Sequence, residues 1–118
     1  MYEKFGQFTD GKWHQSSDGS TYEVINPANE EVLGHASKAT SVDVEKALKS
    51  AQKGLEIWKK TSPWKRAYII RAIADRMREK QDVLAKWMTL EVGKPFSEAK
   101  GEVSGAADIF EWNSEETK

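Results

Sequence analysis

Few side chains in this sequence could do chemistry, and most of those have a plain structural explanation. The 118 residues contain no cysteine, which removes disulfides, thiolate metal sites and a thiol nucleophile from this chain. No Ser-His-Asp or lysine-based set is spaced to take the place of a cysteine. His14 and His35 stand alone, with no second ligand at metal-binding spacing, and read as ordinary strand or surface residues. Gly93-Lys94-Pro95 is a helix stop and not a phosphate loop, since one glycine before Lys-Pro lacks the run of free amides that cradles phosphate. Glu111, Glu115 and Glu116 could be called an acid/base or metal cluster, but helical spacing spreads them over a solvated face. Five tryptophans suggest stacking platforms for single-stranded nucleic acid; Trp58 and Trp87, however, fall on apolar helical stripes with no basic groove beside them, which favours core packing.

Two charges are harder to dismiss. On a helical projection of the segment from Ser62 to Pro95, Ala67, Ile69, Ile70, Ile73, Ala74 and Met77 fill one broad arc, and Arg66 lies inside it. After a polar joint at Lys80 to Asp82, the residues Val83, Leu84, Trp87, Met88 and Leu90 form a second arc, and Glu91 lies inside that one. A buried charge without a partner costs several kcal/mol, so each needs an opposite charge or several backbone partners. One expectation is that Arg66 and Glu91 form a structural ion pair, directly or through one water. The other is that Arg66 faces backbone carbonyls at a helix end.

The elements that would position these residues are marked by their ends. Ser62-Pro63 is a helix start, because a serine oxygen accepts from the first free amides and the fixed φ of proline suits the first helical position. Gly93 supplies a left-handed stop and Pro95 forbids resumption. An earlier helix begins near Thr40 or Ser41, where Thr40 and Asp43 have the spacing of a capping box; its stripe is Val44, Ala47, Leu48, Ala51, Leu55 and Trp58. A last helix starts around Phe96 or Ser97, with Ala99, Val103, Ala106, Ala107 and Phe110 on one face and Gly101, Gly105, Ile109 and Trp112 on the other. Two mid-helix glycines cost roughly 1 kcal/mol each against alanine, so close approach of another group to that face is expected. Ahead of the helices, Asp10-Gly11 between aromatic residues predicts a type I′ hairpin. Tyr22 to Ile25 and Glu31 to Ser37 predict a second hairpin around Asn26-Pro27-Ala28-Asn29. The expected fold class is α+β, with two β-hairpins and three to four α-helices.

Eighteen basic and nineteen acidic residues leave a net charge of −1, which gives no field to hold nucleic acid or an anionic membrane. No apolar run reaches membrane-spanning length, and the start Met1-Tyr2-Glu3-Lys4 lacks the pattern of a secretory leader. A cytoplasmic setting is the default expectation.

Three stretches carry a resemblance. Tyr22 to Gly34 (YEVINPANEEVLG), Met88 to Pro95 (MTLEVGKP) and Glu98 to Val103 (EAKGEV) closely resemble, in order and spacing, the N-terminal region of the aldehyde dehydrogenase superfamily. The resemblance covers nearly the whole chain from Phe8 onward. Within the superfamily, the Ala-Lys-Gly-Glu-Val and Phe-Glu-Trp segments look most like the branch acting on succinate semialdehyde and related aldehydes.

The resemblance implies NAD- or NADP-dependent oxidation of an aldehyde to a carboxylic acid. In such enzymes a cysteine attacks the aldehyde, the thiohemiacetal passes hydride to the nicotinamide, and a glutamate-activated water releases the acid. The cysteine, the general-base glutamate and the cofactor turn belong to family sequence beyond Lys118, so the chain is expected to be an N-terminal fragment of an α/β Rossmann-like enzyme. By itself it is expected to be inactive and to bind no cofactor. Residues 1–39 would be its hairpin region, and residues 40–118 a helical region packing on a nucleotide-binding sheet outside this chain. The remainder of the dehydrogenase and further copies in a homo-oligomer are the expected partners. By the same resemblance, Gly105, Asp108, Ile109 and Trp112 are candidates for the wall of the substrate tunnel, with interdomain packing as the other reading. Members of the branch often carry a bulky residue where this chain has Gly105, which leaves the aldehyde open. A different class, a free-standing helical interaction module or a decayed enzyme, remains the alternative.

Overall fold

The structure is a computed structural model that describes residues 5–118. The leader question at residues 1–4 lies outside the described residues. The chain divides into two units, one of residues 5–26 with 30–58, the other of residues 27–29 with 59–118.

In the first unit, β1 (Gln7–Thr9) and β2 (Lys12–His14) pair antiparallel with Phe8 opposite Trp13. Asp10 and Gly11, at φ 55° and 75°, make the type I′ turn that the sequence predicts. Gly6 passes directly against the backbone of the returning strand, and a Cβ there would collide with the carbonyl oxygen of His14. A second hairpin joins β3 (Thr21–Ile25) to β4 (Val32–Ser37), with an irregularity between Val24 and Ile25. The helix α1 (Ser41–Trp58) begins with the expected capping box. The Thr40 hydroxyl accepts from the Asp43 amide at 3.3 Å, and the Asp43 carboxylate accepts from the Thr40 amide at 3.0 Å, so two otherwise orphaned N–H groups are satisfied at once.

In the second unit, α2 (Pro63–Glu79), α3 (Gln81–Val92) and α4 (Phe96–Glu116) form an antiparallel arrangement in which α4 runs along both of the others. Ser62 caps α2 through the Lys65 amide at 3.3 Å. The polar joint at Lys80 separates α2 from α3. Gly93, at φ 75°, closes α3 through its N–H to the Thr89 carbonyl. A Cβ at Gly93 would lie 3.0 Å from Pro27 Cγ, so glycine is required both for the left-handed turn and for the close seat of the turn Pro27–Asn29. Among the described residues, four helices and two small antiparallel sheets make this an α+β chain, as expected. Among the described residues no helix is long and apolar enough to cross a membrane.

The packing surfaces differ from the apolar arcs. On α2 the buried positions are Ala67 and Ala74, whereas Ile69 and Ile73 are exposed. On α1 the stripe residues Val44, Leu48, Leu55 and Trp58 are exposed as well, so Trp58 is not a core residue within its own unit. Core packing of α2 goes to its small residues because alanine lets helix backbones approach closely, and the long aliphatics would hold α4 away. On α4 the predicted inner face is correct at Ala99, Val103 and Ala107, all buried, while Phe110 stays partly exposed.

Candidate functional site

The outer face of α4 follows from the helix period. Its buried residues Ala99, Val103, Ala107 and Ser114 lie along one side, and Gly101, Gly105, Asp108, Ile109 and Trp112 lie opposite. Ile109 is 64% and Trp112 69% exposed. Nothing within the chain comes within 4 Å of a Cβ placed at Gly101 or Gly105. The close approach that two helical glycines suggest is therefore not made within this chain. Gly105, Ile109 and Trp112 form a shallow apolar strip with a missing side chain at its N-terminal end.

Asp108 marks the edge of that strip and is tied across to α2. Arg78 Nη2 donates to Asp108 Oδ1 at 2.7 Å and also to Glu111, while Arg71 Nη1 lies 2.9 Å from Glu111 Oε1. The hydrogen bonds that Arg78 donates to Asp108 and then to Glu111 raise the pKa of its guanidinium above its ordinary value, so the arginine stays charged. These charges clamp two helices, and no nucleophile or unoccupied base stands among them. Glu111 is thus spoken for by two arginines. Glu115 pairs with Lys118 at 2.7 Å, which lowers its carboxyl pKa.

Arg66 and Glu91 are not brought together. Along α4 the contacts run from Ala67 near Ser114, through Arg71 and Arg78 at Glu111, to Gln81 at Ser104 and Ala85 at Ala99. Arg66 therefore lies toward the C-terminal end of α4, and Glu91 toward its N-terminal end. A helix of 21 residues is about 30 Å long. A helical projection aligns residues by angle and discards their separation along the axis, which is why both charges fell on corresponding arcs. Arg66 is half-buried, and its Nε has no hydrogen-bond partner among the described residues.

The first unit holds a second concave feature. The alternation of β1 turns Phe8 outward, where it meets Trp13 at a centroid distance of 5.1 Å, and Phe5 stacks edge-on against the same indole. Gln7, Thr9 and His14 instead line a groove of about 420 Å³ whose other wall is Lys46, Lys49 and Lys53 of α1. His14 also approaches the Thr9 carbonyl at 3.3 Å, and His35 lies 3.9 Å from Glu23. Among the described residues no group of three His, Cys, Asp or Glu side chains could hold a metal. The lysine groove was missed in the sequence, although lysines at i, i+3 and i+7 are a readable signal for one helical face.

Comparison with known proteins gives this geometry a context. Residues 13–118 match the aldehyde dehydrogenase family. A glutarate-semialdehyde dehydrogenase of Pseudomonas aeruginosa is 40% identical over 111 residues, which is 94% of this chain and 23% of that protein. The NADP-dependent succinate-semialdehyde dehydrogenase of Escherichia coli is 42% identical over 108 residues, 92% of this chain and 22% of that protein. Among solved structures, an NADP-dependent enzyme of E. coli superposes with a TM-score of 0.90 at 40% identity, covering 97% of this chain and 24% of its own. A betaine aldehyde dehydrogenase of Staphylococcus aureus, solved with NAD+, gives 0.89 at 32% identity over 92% of this chain and 23% of its own. The chain thus spans less than a quarter of the length of the relatives it matches.

Proposed function

Because this chain belongs to the aldehyde dehydrogenase family, we propose that it works as part of a longer enzyme that oxidises an aldehyde to a carboxylic acid with NAD or NADP. The substrate class we assign is an ω-carboxylated aldehyde such as succinate or glutarate semialdehyde. The observation that carries this reading is the identity of 40% and 42% to two semialdehyde dehydrogenases across more than nine-tenths of the chain. In the net reaction the aldehyde and one water give the acid, while the oxidised cofactor takes a hydride and one proton is released.

This chain's contribution is shape and support. Gly105, Ile109 and Trp112 offer a shallow apolar wall for the methylene chain of such an aldehyde, and Arg78 keeps Asp108 drawn toward α2, away from the middle of that wall. The exposed aliphatics of α1 and α2 suit burial against the remainder of the enzyme and against further copies in a homo-oligomer, since contiguous apolar surface of this extent is seldom left open. A cytoplasmic setting suits a chain without cysteine.

The residues present do not fit a dinucleotide. Pyrophosphate is normally held by free amides at a helix start that follows a glycine-rich turn. Here the start of α1 already holds the Asp43 carboxylate, which accepts from the Thr40 amide and would repel a phosphate. The helix α2 opens on Pro63, which has no N–H to offer, and neither α3 nor α4 follows a glycine-rich strand-to-helix turn, since Gly93 closes a helix instead. The purified chain should therefore oxidise no succinate semialdehyde, and titration with NADP should leave its tryptophan fluorescence without a saturable change. Saturable binding in the micromolar range would overturn the assignment of cofactor and catalysis to other parts of the enzyme. Reading the gene past the Lys118 codon gives the complementary check, where a cysteine and a glycine-rich strand-to-helix turn are expected.

A further inference from the structure

Between β1–β2 and α1 the chain turns polar faces toward each other. The aromatic residues of the hairpin, Phe8 and Trp13, are 62% and 53% exposed. The apolar stripe of α1 is exposed too, so neither element uses its hydrophobic face to meet the other. What lies between them is the groove of about 420 Å³, a volume within the ordinary range for small-molecule sites.

Its charges are unequal in how well they are matched. Asp43 Oδ2 accepts from the amides of Thr40 and Ser17 and from both of their hydroxyls. Asp10 takes the Ser50 hydroxyl at 3.4 Å, and Lys49 lies 3.8 Å from Glu45. Lys46 and Lys53 have no acidic side chain within ion-pair distance among the described residues. They stand seven residues apart on one face of α1, about 10 Å along the axis. The opposite wall offers Thr9, Gln7 and Gln15 as hydrogen-bonding groups, and among the described residues no Phe, Tyr or Trp lines the groove to stack a nucleobase.

We propose that this groove binds a small α,ω-dicarboxylate, one carboxylate at Lys46 and the other at Lys53, its methylenes lying over the lysine stems. Two lysines without an acidic partner, two helical turns apart on one face with the Glu45-paired Lys49 between them, suit a ligand with its charges at two ends. The stems supply the apolar contact between them. A monocarboxylate supplies only one of the two charges such a site takes, whereas a dicarboxylate supplies both.

The test is a titration of the full chain, labelled with nitrogen-15, with glutarate at low ionic strength. Saturable shifts are expected at Thr9, His14 and Ser50, at least about tenfold stronger in affinity than with butyrate. Lys46→Gln with Lys53→Gln should weaken glutarate binding by about tenfold or more, whereas the charge-matched pair Lys65→Gln with Lys86→Gln should leave it unchanged. Shifts that rise linearly, equal affinity for butyrate or inorganic phosphate, or equal loss in both double variants would each overturn the proposal.

Discussion

The two units of this chain are held together by opposite means. Among the described residues, the buried ones of the first are all polar, Ser16, Asn26 and Asp43, and those of the second are six apolar residues, five of them alanine, together with Ser114. A hydrogen-bonded knot needs exact donors and tolerates little change in charge. Alanine packing needs close backbones and tolerates little change in volume. Many of the large aliphatics stay exposed, among them Leu48 and Leu55 in the first unit and Ile69 and Ile73 in the second, so each unit is stabilised mainly by what is small or polar. That division predicts which substitutions each unit will feel.

The largest effect is expected in the second unit. Ala99 is fully buried and packs with Ala85 and Val103, with Met88 against the cluster. Ala99→Leu adds three carbons where no space exists and should cost about 1–3 kcal/mol. Amide exchange should rise throughout α3 and α4 while the hairpin amides around Trp13 keep their protection. Equal loss of protection in the hairpins would break the comparison, by making the two units one cooperative body.

Much of this architecture was legible because its punctuation is local. Thr40 with Asp43, Asp10-Gly11, Ser62-Pro63 and Gly93 each fix a boundary through backbone groups within a few residues, and each does in the structure what its residue types require. The faces that pack were less legible. Hydrophobic periodicity on α2 points to Ile69 and Ile73, yet Ala67 and Ala74 make the contact. Periodicity reports where burial would gain most, and that gain requires a partner surface. The two faces of α4 could be told apart in advance because they differ in residue size, whereas the lysine groove could not, since it exists only once the hairpin presents Gln7 and Thr9 to α1.

The next effect belongs to the first unit and carries a pH signature. Amide donors at Thr40 and then Ser17 hold the Asp43 carboxyl well below the usual carboxylate range, and the hydroxyls of Ser20 and Ser16 hold Asp18 at about 2. A carboxylate whose pKa is lowered on folding contributes its stability in full above the unfolded value of about 4, and loses it as the pH falls toward the folded value. The first unit should therefore weaken below about pH 4. Asp43→Asn should lower its melting midpoint at pH 7 and flatten much of that acid dependence, the part due to Asp18 remaining. A midpoint in the variant that falls with acid as steeply as in the parent would remove Asp43 as the centre of the knot.

The smallest effect sharpens the contrast between a buried carboxylate and exposed ones. Arg78 reaches Asp108 and Glu111 across the α2–α4 contact, but the Asp108 side chain is 70% exposed, so water and salt already screen the attraction. Arg78→Ala should shift the midpoint of the second unit less than Asp43→Asn shifts that of the first. Most of that shift should vanish in about 1 M salt, where the screening length is about 3 Å. The Asp43 effect should persist there, because its donors are amides and hydroxyls at hydrogen-bond distance, not distant charges. The same variant also frees Asp108 at the margin of the Gly105, Ile109 and Trp112 strip. If that strip guides an aldehyde in the assembled enzyme, the change should appear in KM for the semialdehyde more than in kcat. A salt-independent destabilisation by Arg78→Ala as large as that of Asp43→Asn would mean the second unit also depends on a polar knot, and the distinction between the two would fail.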